Sequence, residues 1–188
     1  MSMSYHLDYL SVLKAIVLPF DPVFSLLVVV PLLAVAAWLA WRIKRGDQPK
    51  VALTLSLILV IVIPVGATLG ISVSQVGTGW ELADGKLDIK APPVDVSLAV
   101  DKMQVAFVES DGPWGGWFRS NGYGTTGLTT GWCQLKNGKT AAVFRHLQSA
   151  KMVVIFVNKE YYVIAHPGVE TLYRALIAEG ASEADLEE

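Results

Sequence analysis

Hydrophobic and polar positions divide the chain into three stretches with different periods. From Val23 to Trp41 and again from Val51 to Ile71 no charged residue interrupts the run, and neither stretch shows the polar stripe at 3.6-residue spacing that marks a surface helix. Each is long enough for a helix that crosses a hydrocarbon core of about 30 Å, which takes roughly 20 residues. Two buried core helices are the alternative. The pattern therefore predicts a two-helix transmembrane hairpin, spans 23–41 and 51–71, joined by the loop 42–50.

After residue 75 the period drops to two. Trp80-Glu-Leu82 and Lys86-Leu-Asp-Ile-Lys90 alternate around Asp84-Gly85, a strong hairpin turn. Short β-branched or aromatic runs follow at Val94–Leu98, Gln104–Val108, Gly131–Leu135, Thr140–Arg145, Met152–Val157 and Tyr161–Ala165, with Asn137-Gly138 as a second turn. One helix is expected after Pro167, with Val169, Leu172, Tyr173 and Leu176 on one face. The expected organisation is an arm (1–22) lying at the bilayer interface as a helix, the hairpin (23–71), a linker (72–79), a β-rich domain (80–178) and an acidic flexible tail (179–188). The arm lacks the basic start and small-residue cleavage site of a signal peptide, so it is expected to be retained.

Composition agrees with this division. The 188 residues are 53% hydrophobic and 17% charged, with 15 Lys and Arg against 17 Asp and Glu. Disorder and a basic nucleic-acid-binding face are disfavoured. The loop Arg42-Ile-Lys-Arg-Gly-Asp-Gln-Pro-Lys50 is basic and Trp38 and Trp41 precede it, so the positive-inside bias places 42–50 in the cytoplasm and the β-rich domain outside. The expected localisation is a multi-pass protein of the inner cell membrane. A single cysteine, Cys133, and three histidines leave no metal-ligand spacing, so neither cofactor nor metal is expected.

The order Arg119-Ser-Asn121-Gly122-Tyr-Gly124-Thr-Thr-Gly127, then Gly131-Trp132, Asn137-Gly138-Lys139, Lys151-Met-Val-Val154 and Tyr161-Tyr-Val-Ile164 ahead of a helix, resembles the bacterial pleckstrin-homology-like (PH-like) membrane proteins. The resemblance covers roughly Trp80 to Ala178. It implies an α+β fold, a mainly antiparallel PH-like barrel with one C-terminal helix behind a membrane hairpin. The first hairpin offers only Lys86 and Lys90, alternating with Asp84 and Asp88, so no phosphoinositide site is expected.

Candidate chemistry is sparse. Trp114, Trp117, Phe118 and Arg119 sit in a glycine-loosened segment, and such types favour a partner contact; the alternative is that the tryptophans plug one end of the barrel. The glycines from Gly122 to Gly131 precede a strand, with no Gly-Lys-Ser/Thr, and read as tight backbone bends rather than a phosphate loop. Cys133 could act as a nucleophile with His146 or His166, but no acid or triad signature accompanies it and it reads as a small buried hydrophobe. In the expected hairpin, Ala36 and Ala40 oppose Ser56 and Ala52 as a small-residue seam, while Gly66 and Gly70 form a face for docking another helix. The function these features suggest is a non-enzymatic binding or assembly module, with a protein partner or a second copy. An accessory subunit of a larger membrane complex and a thiol enzyme using Cys133 are the alternatives.

Overall fold

The computed structural model describes residues 2–17, 30–46, 50–116 and 118–185. Strand β1 (Met3–His6) and helix α1 (Tyr9–Val17) precede two long helices, α2 (Val30–Arg45) and α3 (Lys50–Ser74). Strands β2 (Gly79–Ala83), β3 (Lys86–Ala91), β4 (Val94–Ala99), β5 (Gln104–Glu109), β6 (Phe118–Gly124), β7 (Leu128–Gln134), β8 (Thr140–His146), β9 (Lys151–Val157) and β10 (Glu160–Ala165) follow. Helix α4 (Val169–Ala178) and the short strand β11 (Ser182–Glu183) complete the order.

Two open sheets replace the expected closed barrel. The first has the order β1-β2-β3-β4, the second β11-β5-β9-β10-β8-β7-β6. Asp84 and Gly85 both take positive φ, the geometry that lets a two-residue turn follow strand twist, and they join β2 to β3. In β3, Leu87, Ile89 and Ala91 turn inward while Lys86, Asp88 and Lys90 face out. The second sheet departs from a PH-like meander because β10 inserts between β9 and β8, antiparallel to one and parallel to the other. Its sequence explains the placement. Tyr162 and Ile164 enter the main core and Val163 and Ala165 enter a second one, and a strand apolar on both faces belongs in a sheet interior.

The main core lies between the sheets. It takes Leu82, Leu87, Ile89 and Leu98 from the first, Phe144, Val153, Ile155 and Ile164 from the second, and Val169, Leu172 and Leu176 from α4. The arm also enters it. Leu7, Val12 and Ala15 are buried there, and β1 pairs antiparallel with β2, so the segment expected at a bilayer interface closes one side of this core. The second core is smaller and occupies the opposite face of the second sheet, where Cys133, Ala141, Val143, Met152 and Val154 lie under Trp114.

The transmembrane hairpin is corrected. Over its described residues no helix is long and apolar enough to cross a membrane. Helix α2 is described from Val30 and ends on the basic Arg42, Lys44 and Arg45. Residues 23–29 of the expected first span lie outside the described residues. The multi-pass inner-membrane placement and the sidedness of loop and domain fall with the hairpin. Trp38 and Trp41 each lie against a cation of their own helix: the Arg42 guanidinium is 4.9 Å from the Trp38 ring and that of Arg45 4.3 Å from Trp41.

Helix α2 packs along α3 through a stripe in which Leu39 is buried and Leu32, Ala36 and Ile43 are half-buried. At its far end α3 is tied to the sheets. Gln75, just beyond its last turn, is buried and accepts a hydrogen bond from Thr130 Oγ1 at 3.0 Å.

Candidate anion-binding cleft

The outer face of the second sheet carries a cation where alternation would place a hydrophobe. On β8, Phe144 and His146 turn to the main core, so Arg145 projects to the opposite face, beside Val143 and Ala141. Its cross-strand partner on β7 is Thr129. The guanidinium is held from one side: Nη2 donates to Thr129 Oγ1 at 3.1 Å and to the Thr125 and Thr126 carbonyl oxygens at 3.3 Å each. Burial pulls Arg145 below its ordinary pKa, yet a guanidinium remains cationic at neutral pH.

A second guanidinium joins it. Arg119, at the start of β6, donates from Nη1 to the Gly124 carbonyl at 3.3 Å. Gly124 leaves the room for this, since a Cβ there would lie 2.7 Å from Arg119 Nη1. Between these groups opens a cleft of about 700 Å³ lined by Arg119, Arg145, Thr125, Thr129, Ser110 and Ser149, and also by the acidic Glu109 and Asp111. Glu109 is engaged by Lys151 at 3.4 Å. Ser110 Oγ is buried with no hydrogen-bond partner among the described residues. Ser149 Oγ donates to the Lys151 carbonyl at 2.7 Å and Thr125 Oγ1 to backbone carbonyls, so two cations with the hydroxyls of Ser110 and Thr129 are the donors that suit an oxyanion.

Cys133 lies under this site. Burial pushes its thiol up while Arg119 and Arg145 pull it down more weakly, so the protonated thiol is favoured. It is fully buried and offers no surface to a substrate.

The residues singled out from sequence are dispersed. Trp114 is 2% exposed, its ring 5.1 Å from that of Tyr161, and it roofs the second core. Trp117 lies outside the described residues. Phe118 is 76% exposed beside the cleft, and Arg119 lines it. Ala36 is half-buried against α3, whereas Ala40 and Ser56 are exposed; the side chain of Ala52 lies outside the described set. Gly66 and Gly70 have open space where a Cβ would stand. Sequence reasoning missed Arg145, Thr129 and Ser110. The available signal was the lone cation in Thr140-Ala-Ala-Val-Phe-Arg-His146, set among apolar positions.

The chain matches no known family model, no curated protein and no solved structure.

Proposed function

We propose that the chain is a non-enzymatic binding module whose cleft takes the anionic group of a ligand, a carboxylate, phosphate or sulfate. The observation that carries this reading is the pair of guanidiniums, Arg119 and Arg145, converging on one hydroxyl-lined cleft. Arg145 is oriented by three acceptors before any ligand arrives, which lowers the ordering cost of binding. Arg119 has one, at a long 3.3 Å, and keeps donors for the incoming group.

Sulfate is the direct probe because its charge is constant between pH 5 and 8. Calorimetric titration at pH 7.5, with ionic strength held by chloride, should give saturable binding that Arg119→Gln weakens about tenfold, the scale of one hydrogen bond to a charged group. Equal heats for wild type and variant would refute the reading.

A second reading is an assembly module that pairs with a second copy of itself. It draws on the apolar flank of α2 and α3, where Leu33, Val35, Leu55, Ile58, Val62 and Ile63 are all exposed. Gly66 and Gly70 continue α3 beyond them with open space above. Sedimentation would show a dimer that Gly66→Leu weakens; a monomer at all concentrations removes this reading.

A further inference from the structure

Two buried histidines meet where the arm closes on the sheets. His166 follows β10, and its ring is fixed on both sides: Nδ1 lies 2.9 Å from the Pro167 carbonyl oxygen, and Trp80 Nε1 donates to Nε2 at 3.0 Å. A carbonyl only accepts, so Nδ1 carries the proton, Nε2 is bare and the ring is neutral. Tyr5 of β1 stacks on that ring with centroids 3.9 Å apart and places its hydroxyl 2.6 Å from His146 Nδ1 on β8. One tyrosine of the arm is thereby gripped by two imidazoles.

The same arm supports the cleft. Gly127, in the turn between β6 and β7, lies so close to α1 that a Cβ would stand 2.3 Å from the Ala15 carbonyl oxygen. Thr125 Oγ1 donates to that oxygen at 3.4 Å. The carbonyls of Thr125 and Thr126 are the ones that orient Arg145. A continuous set of contacts therefore runs from the histidines through Tyr5, α1 and the β6–β7 turn to the guanidinium.

We infer that β1 and α1 form a proton-sensitive strap: with both histidines neutral it holds the β6–β7 turn in place, and protonation of the pair releases the strap and loosens that turn. The consequence for ligand affinity rests on the anion-binding reading of the cleft. A protonated His166 presents an N–H to the Trp80 N–H, and two imidazoliums repel one another. Compensation around the rings is limited to one backbone hydrogen bond each, to Ser11 for His146 and to Pro167 for His166, and burial outweighs both. Tyr5 comes from β1, the Ser11 backbone from α1, Trp80 from β2 and Phe144 from β8; Glu81 and His6 face each other at 3.8 Å on the outer side, and Arg145 points to the cleft. No carboxylate acts on either ring among the described residues, and burial disfavours the charged form of both.

Amide hydrogen exchange on the full chain, expressed as protection factors at pH 7.5 and pH 5.0, tests the strap directly. Protection of Leu7 and Val12 in the arm, and of Thr125 and Leu128 in the turn, should fall about tenfold or more at pH 5.0 while β9 keeps its protection. Paired His146→Gln and His166→Gln should abolish that pH dependence. Should the pair fail to fold, Tyr5→Phe supplies the second measurement: it keeps the ring stack, removes the hydroxyl, and should lower arm protection about fivefold at pH 7.5. Unchanged protection at pH 5.0, or an arm that opens while the turn stays protected, overturns the strap whether or not sulfate binds. Sulfate that binds at pH 7.5 and weakens at pH 5.0 in wild type but not in the histidine variants extends the strap to the cleft. Absence of sulfate binding at pH 7.5 overturns the cleft reading alone, since the exchange readout does not depend on it.

Discussion

Arg145 shows how much one side chain can be asked to hold. Its guanidinium satisfies two carbonyls and a hydroxyl, so Arg145→Met should leave those acceptors short and cost about 1–3 kcal/mol in denaturant unfolding, besides abolishing sulfate binding. Trp114→Ala should cost about 3–5 kcal/mol because it strips the roof from the second core, whereas Phe118→Ser should change stability by less than about 0.5 kcal/mol. Denaturant midpoints for the two variants check both values. At this scale the sequence was half legible. It placed Trp114, Phe118 and Arg119 in one segment but carried no information on which would turn inward, because that depends on whether β9 and β10 lie beneath the loop. Cys133 was legible as a small buried residue, and its thiol should stay inert to alkylating reagents until the protein unfolds.

Elements whose signals are local were the readable ones. The Asp84-Gly85 hairpin carries its own turn chemistry, and α4 shows Val169, Leu172 and Leu176 on one buried face within a few turns. Strand β1 could not be read this way. Met3-Ser-Tyr-His6 alternates over only four residues, too short a run to read as a strand, and β2 offers it the edge on which it pairs. The charge-free runs were misread for a related reason: absence of charge reports an apolar environment without saying what supplies it. The helix–turn contact at Gly127 has a sharp test. Gly127→Ala forces a methyl against the Ala15 carbonyl and should destabilise the fold by about 1–3 kcal/mol, with the loss of protection beginning in α1 and the β6–β7 turn.

For the whole molecule, the histidine pair sets a direction for pH dependence. Burial lowers both folded-state pKa values beneath the ordinary 6.5, and the charge of His166 lowers His146 further against a raising hydrogen bond to the Ser11 backbone. The unfolded chain therefore binds protons more readily than the folded one as pH drops. Stability is level above about pH 7.5 and declines below 6.5, by about 1.4 kcal/mol per pH unit for each histidine until its folded-state value is passed. Thermal midpoints between pH 7.5 and 5 should show this slope in wild type and a flatter one in His166→Gln. A decline that begins only near pH 4 would assign acid sensitivity to carboxylates instead.

The insertion of β10 between β8 and β9 also orders events in time. Every residue that lines the cleft lies between Glu109 and Ala150, yet β8 reaches β9 only through β10, which the ribosome adds later. Until Ala165 has emerged, the strand bearing Arg145 has an unpaired edge on one side. A contiguous stretch of sequence thus encodes the lining of the cleft without being able to build it, and the cleft assembles only once β10 has joined the sheet.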